Sequence, residues 1–445
     1  MTKGQLCTGV PQPAFREAFR FWFKLGWITF GGTAAHIAVM HDELVQKKRW
    51  ISNGRFLHAL SLCMILPGPE AQQLAIYIGW KLHGKRGGVV AGALFVLPSM
   101  FVLLALSMMY VRFGNLPLIA AMFNGLKPTV IALVVVALHR VAWTTLRGPI
   151  EGSVAAAAFT AMFFFKVSLL TVMLSTLVLG ILLGKLWPHL FHRPGDVIEK
   201  DDEEGYCISP QHEMSAQPAS LLKPIAKLTT VVLLLWFLPL PVFYFFTGDF
   251  HFWRTLVLFF TRTAFVTIGG SYTVLPYVAQ VAVTKLHWLS RAQMTDGFVL
   301  AETTPGPLII VVAFVGFMAG YNHFHGSLWM GTVGLLVTTF YTFLPCFLFV
   351  FAGAPLVERT QGKPMIQGVL RLVTAVVVAA ILDLVLFLGK AVFFPSGAVT
   401  LRGFETLSLA WMMLSLVLLQ RFKLNLIYLI LVSSAVGVIR YLLGV

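Results

Sequence analysis

Thr29-Phe30-Gly31-Gly32 and Pro67-Gly68-Pro69 decide the reading of this chain, because both recur. Thr267-Ile268-Gly269-Gly270 repeats the first and Pro305-Gly306-Pro307 the second, each 238 positions later (267−29 and 305−67). Between them, Trp50-Ile51-Ser52 returns as Trp288-Leu289-Ser290 at the same offset, and Phe21, Trp22 and Lys24 fall on Phe259, Phe260 and Arg262. Further on, Leu97-Pro98 matches Leu344-Pro345 and Asn124-Gly125 matches Gln367-Gly368 after a small shift. Gapless matching over about 45 residues marks two diverged copies of one unit.

Composition names the solvent. Of 445 residues, 58% are hydrophobic and 11% charged, too few charges to cover a soluble surface. Apolar runs of about 20 residues recur along the chain, each long enough to cross a hydrocarbon core of about 30 Å. The expected fold is an all-α polytopic membrane protein, and the lipid bilayer is its first partner. The opening residues lack an apolar core and a small-residue cleavage site, so no removable signal peptide is expected. The net charge of +15 reads as lysine and arginine held in cytoplasmic loops, not as a nucleic-acid surface. Cys7, Cys63, Cys207 and Cys346 form no CxxC pair and stand at no metal-ligand spacing with histidine. No phosphate-binding glycine loop appears. No cofactor, no metal and no enzymatic activity are expected.

The apolar segments at about 20–40 and 57–80 are interrupted, the first by Gly31-Gly32 and the second by Pro67-Gly68-Pro69. If both crossed fully, Lys47, Lys48, Arg49 and Arg55 would lie opposite the basic N-terminus, against the positive-inside tendency. If both dip in and return, the N-terminus, the 41–56 loop and Lys81, Lys85 and Arg86 share the cytoplasm. Spans at about 89–111, 116–138, 152–165 and 168–187 follow, and one more at about 225–247 inverts the second unit. Its own spans are expected at about 326–352, 367–393, 404–420 and 424–443. The expected division is a first repeat over 1–187, an acidic cytoplasmic linker over 188–222, a connecting transmembrane helix over 223–250 and an inverted second repeat over 251–445. That makes about nine full spans and four re-entrant segments. The linker, with Asp201, Asp202, Glu203 and Glu204, reads as a flexible tether before it reads as a regulatory loop.

Proline lacks the N–H and clashes with the preceding turn, so Pro-Gly-Pro opens a helix. Freed backbone groups survive at membrane depth only where they are buried in protein or line a polar cavity. A restarting helix offers unpaired N–H groups and the positive end of its dipole, both suited to an anion. The expected substrate site therefore gathers Gly31, Gly32, Thr33 and His36 with Pro67, Gly68, Pro69, Gln72 and Gln73. From the second unit come Gly269, Gly270, Ser271 and Tyr272 with Thr303, Thr304, Pro305, Gly306 and Pro307. The same polar side chains would serve equally as local caps of the broken ends. Lys24 and Arg262, at equivalent positions, either attract the anion or snorkel to the interface. Glu70 and Glu302 have no acidic counterpart (Leu308 and Met64), so each is a candidate for carrying a proton; Glu70 also suits a first helical turn. Asp383 is a third intramembrane acid, with Arg140 or Arg371 as partner.

FGGTAAHIAVMHDELV at 30–45, LPGPEAQQLAIYIGW at 66–80, GGVVAGALFVLP at 87–98, TIGGSYTVLPYV at 267–278 and TTPGPL at 303–308 carry a resemblance to the chromate ion transporter family, in its long two-domain form. Thr33 stands where members often have proline. The resemblance implies a bacterial inner-membrane protein that exports chromate as a secondary transporter and confers chromate resistance. The residues alone reach only a small oxyanion. Sulfate, close to chromate in shape, stays open as a substrate, as does a passive anion channel. A homodimer is carried as an expectation.

Overall fold

The computed structural model describes residues 11–29, 32–187, 206–208, 222–246, 249–267, 274–355, 357, 364–395, 403–422 and 424–444. Gly31, Gly269, Gly270, Ser271 and Tyr272 and nearly all of the 188–222 linker lie outside them. The described residues are helical apart from turns and one isolated parallel bridge, Ile51 with Ile208. Six helical stretches among them are long and apolar enough to cross a membrane. The chain is an integral, multi-pass, all-α membrane protein.

The first unit opens with α1 (Phe15–Ile28) and α2 (Gly32–His41), joined across the Gly-Gly break. α1 buries Ala18, Phe21, Trp22, Leu25 and Gly26 on one stripe, while Phe19, Phe23 and Trp27 face outward. A helix apolar on both sides has lipid, not water, on its outer face. Next come α3 (Asn53–Ile65) and α4 (Glu70–Phe113), separated by Pro67-Gly68-Pro69. α4 is itself two legs, because His83 and Gly84 (φ +63°) leave helical geometry. The legs pack back to back through glycine: a Cβ on Gly87 would sit 2.2 Å from the Gly79 carbonyl oxygen.

Contacts at the helix ends show where these pieces return. Lys48 pairs with Glu17 at 2.9 Å, Trp50 lies against Phe21, His83 Nε2 meets the Pro13 carbonyl at 2.8 Å, and Phe15 packs on the His83 ring. Both broken hairpins thus start and finish at one end of the molecule, called here the first mouth. The stub of the linker docks there too: Ile208 N–H donates to Trp50 and Ser52 N–H to Ile208.

After α5 (Pro117–Thr145), α6 (Pro149–Phe163) and α7 (Leu169–Leu186), the chain re-emerges in α8 (Leu222–Phe237) and α9 (Pro239–Phe246). Prolines 239 and 241 break this connecting segment, and Tyr341 O–H donates to the freed Trp236 carbonyl at 2.7 Å. α10 (Phe250–Val266) and α11 (Val274–Thr284) form the second unit's first hairpin. α12 (Arg291–Glu302), a 3₁₀ turn (Leu308–Ile310) and α13 (Val311–His323) form its second. Ser52 caps α3 and its equivalent Ser290 caps α12, the latter in a reciprocal box with Gln293. These hairpins also finish together. Asn322 donates to the Trp288 carbonyl at 2.8 Å, His323 meets Asp249 at 2.7 Å and stacks on Phe252. The Phe252 N–H, then His323, hold the Asp249 carboxyl below its ordinary pKa. This end is the second mouth.

The long second leg of α4 relates the two mouths. It begins at residues 84–85 in the first and runs about 43 Å at about 1.5 Å per residue. It ends at Tyr110 and Gly114 in a cavity shared with Gln293 and Tyr321 beside the second mouth. The mouths therefore lie at opposite ends of that leg.

α14 (Leu328–Leu348), α15 (Pro364–Phe393), α16 (Thr406–Gln420) and α17 (Leu426–Leu442) complete the chain. The units exchange their last helices: α16 and α17 pack on α5, and α6 and α7 pack on α15. Gly125 and Gly437 bring α5 and α17 into backbone contact, and Thr129, Ser415, Ser433 and Trp411 share hydrogen bonds beside them. Small residues and interhelical hydroxyls of this kind hold helices together in lipid, where apolar burial adds little.

Candidate anion site at the broken helices

The two Pro-Gly-Pro breaks meet the other unit's Gly-Gly break. Gly68 N–H donates to the Thr267 carbonyl at 2.6 Å, and Gly306 N–H donates to the Thr29 carbonyl at 3.0 Å. Thr29 and Thr267 are equivalent, as are Gly68 and Gly306, so the pair of bonds is reciprocal. That is the signature of a self-complementary, two-fold contact. The glycines match in conformation, with φ of +123° and +124°, open only to glycine at low cost. Their neighbours match as well. A Cβ on Gly68 would lie 2.9 Å from Cys346 Sγ, and one on Gly306 would lie 1.8 Å from Ser99 Oγ. Ser99 and Cys346 follow the equivalent prolines Pro98 and Pro345.

This geometry changes the expected role of the glycines. What approaches them is the main chain and side chain of the other unit, and their N–H groups are already used. The donors left over are the first-turn N–H groups of α2, α4 and the 308–310 turn, together with hydroxyl side chains.

The polar side chains expected here are buried. Thr33, His36, Gln72, Gln73 and Thr304 are each at most 2% exposed, and Gly32, Gly68, Pro69, Pro305, Gly306 and Pro307 are buried too. Pro67 and Thr303 are partly buried. Gln73 donates its amide to the Pro67 carbonyl, Gln72 to the Gly92 carbonyl at 3.3 Å, and His36 Nδ1 to the Gly32 carbonyl at 2.8 Å. Thr304 hydrogen-bonds Leu300 on its own helix, the capping role. Thr33 Oγ1, His36 Nε2, Gln72 Oε1, Gln73 Oε1, Ser99 Oγ and Thr342 Oγ1 are buried without a hydrogen-bond partner among the described residues. Buried polar atoms are almost always paired, so these atoms are the candidates for contact with a bound solute.

Three helices carry the cluster, with Thr33 and His36 on α2. On α4, Gly92 receives Gln72, Phe95 packs on His36 at 5.0 Å, and Ser99 meets Gly306; positions 92, 95 and 99 share one face. On α14, Thr342 and Cys346 lie one turn apart on the face towards Gly68. Ser99, Thr342 and Cys346 are not among the site residues expected from the sequence. Their signal was the Leu-Pro repeat, whose next residue is Ser99 in one unit and Cys346 in the other.

The charged residues divide. Lys24 and Arg262 are exposed on the outer faces of α1 and α10, the snorkelling geometry, and are not brought to the cluster. Glu70 sits at the first turn of α4, where a carboxylate suits the helix dipole. Glu302, at the last turn of α12 ahead of Pro305, is 6% exposed and has no ion-pair or hydrogen-bond partner among the described residues. Asp383 is half-buried on α15, and the cation whose field reaches it is Lys166. No group of three metal-ligating side chains occurs among the described residues.

Fold and site together define a polytopic membrane protein whose broken helices meet around a buried, unsatisfied polar cluster, the plan of a solute carrier. Residues 16–181 and 254–438 match the chromate transporter family, one match in each unit. The chain belongs to that family. It is 30% identical over 385 residues to a chromate transport protein of Pseudomonas aeruginosa, covering 84% of this chain and 82% of that one. It is 27% identical over 383 residues to a chromate transport protein of Cupriavidus metallidurans, covering 85% and 84%. A probable chromate transport protein of Synechococcus elongatus is 25% identical over 385 residues, covering 85% and 86%. No solved structure matches the chain.

Proposed function

We propose that this protein is a secondary transporter that carries chromate out of the cytoplasm across the inner membrane and so confers chromate resistance. Family membership and the names of the relatives support chromate as the cargo. The observation that carries a transport mechanism is the reciprocal pair of bonds between the breaks, Gly68 to Thr267 and Gly306 to Thr29, beside a buried cluster of unpaired polar atoms. Such a contact holds one site between two units that can rock against each other. The cluster holds no lysine or arginine among the described residues, so a tetrahedral anion is met by helix N-termini, hydroxyls and amides.

The direct test is flux. Proteoliposomes are expected to accumulate chromate when a gradient is imposed, and cells making the protein are expected to retain less chromate and survive higher doses. Unchanged cellular retention, with the protein confirmed in the membrane, overturns export. A chromate flux blind to any pH gradient favours a channel, and sulfate flux at the same rate favours a general oxyanion carrier.

The two units are proposed to be inverted, with the first mouth in the cytoplasm. The end contacts support this, as does the shared end of Lys48, Arg49, Lys81, Lys85 and Arg86. Gln46→Cys, in the exposed 41–56 loop, and Ser290→Cys, each as the single cysteine, are expected to react with a membrane-impermeant thiol reagent from opposite sides. Labelling of both from one side excludes inversion.

A further inference from the structure

A second polar cluster lies away from the breaks, beside the second mouth. Lys127 on α5 pairs with Asp296 on α12 at 3.0 Å, and Tyr110 on α4 donates its hydroxyl to the other Asp296 oxygen at 2.9 Å. The Lys127 and Asp296 side chains are only 19% and 10% exposed. The amide oxygen of Asn124 accepts from Lys127 at 3.2 Å. These groups, with Asn115, Gln293 and Tyr321, line a cavity of about 300 Å³ walled by both units. The volume admits a tetrahedral oxyanion with part of its water. The Lys127 ammonium faces Asp296 Oδ1, while the other carboxylate oxygen is taken by the Tyr110 hydroxyl. The first unit offers no copy of this cluster: the position equivalent to Asp296 is His58.

A partly buried ammonium inside a hydroxyl- and amide-lined cavity is an anion site whenever its carboxylate partner is turned away. Asp296 also sits on the helix that runs, about 9 Å further at about 1.5 Å per residue, to Glu302 and the Pro305-Gly306-Pro307 break. We propose that Lys127 is an outer docking station for the transported oxyanion, with Asp296 as its resident counter-ion when the station is empty. The anion passes from the breaks to Lys127, displaces Asp296, and leaves through the second mouth; Asp296 then closes behind it. This inference rests on the transport reading above.

The test uses Asn115→Cys at the cavity rim as the single cysteine, labelled from outside with an impermeant thiol reagent. Sulfate serves as the probe because chromate oxidises thiols. Sulfate is expected to slow labelling. Asp296→Asn is expected to lower the half-protecting sulfate concentration several-fold, because Lys127 loses its competitor. Lys127→Met is expected to remove the protection. The exchanged pair Lys127→Asp with Asp296→Lys keeps the charges balanced, controls for folding, and is expected to restore protection. Protection that is unchanged in Asp296→Asn, or that persists in Lys127→Met, overturns the station. Chromate flux measured in parallel separates the two claims: flux without protection refutes the station alone, and protection without flux refutes the transport reading.

Discussion

Gly306→Ala is expected to abolish chromate transport and to lower the stability of the inserted protein. Two costs add at this position. The backbone φ of +124° belongs to a region that side chains rarely enter, worth about 1–3 kcal/mol. The new Cβ would lie 1.8 Å from Ser99 Oγ and 2.6 Å from Ser99 Cβ, an overpacking that costs about 1–3 kcal/mol once neighbours shift. Any shift breaks the 3.0 Å bond from Gly306 N–H to the Thr29 carbonyl and separates the units at the site. The costs can be told apart. Adding Ser99→Gly removes the clash and leaves the strain, so the double variant is expected to recover the packing share of stability and part of the flux. Gly68→Ala is expected to be milder, because its nearest contact is the far end of the long Gln73 side chain and Cys346 Sγ lies 2.9 Å away. Full flux in Gly306→Ala, or no gain from Ser99→Gly, refutes this account of the interlock.

Glu302→Gln is expected to leave the protein folded but to uncouple it from protons. Glutamine has the size and hydrogen-bonding character of a protonated glutamate, and no partner among the described residues needs the charge. If Glu302 carries the proton, each pH unit across the membrane is worth about 1.4 kcal/mol per proton, about a tenfold change in accumulation ratio. The wild type should follow that slope and Glu302→Gln should be flat. A variant that keeps the slope moves the role to Glu70 or Asp383, or to no carboxylate at all. Glu70→Gln is the natural control, since its place at a helix N-terminus accounts for its charge.

The helix ends for α14 to α17 lie close to the ends of the apolar segments expected from the sequence, because apolar length and flanking charge are local properties. The 89–111 span is longer than expected: the apolar run merges with the returning leg at His83-Gly84, where glycine turns the chain without a polar loop. Lys24 and Arg262 invited a site reading, since an intramembrane charge is a functional candidate by default. Their rotation about α1 and α10 decides otherwise, and rotation depends on which stripe packs inward. Lys127 and Asp296 are not among the site residues expected from the sequence, although each is a charge within an apolar run. Their meaning comes from each other, and they are 169 positions apart (296−127).

From the sequence alone came the duplication, the membrane class, the four breaks and the residues around them. Each follows from composition or from what proline and glycine do to a helix where they stand. The tertiary structure alone decided that the breaks lock across the two units, Gly68 on Thr267 and Gly306 on Thr29. It also decided that their N–H groups are already used, and which polar atoms are left unpaired. Those outcomes depend on contacts between residues 199 and 277 positions apart (267−68 and 306−29), and a hydrogen bond across that distance leaves no trace in local pattern.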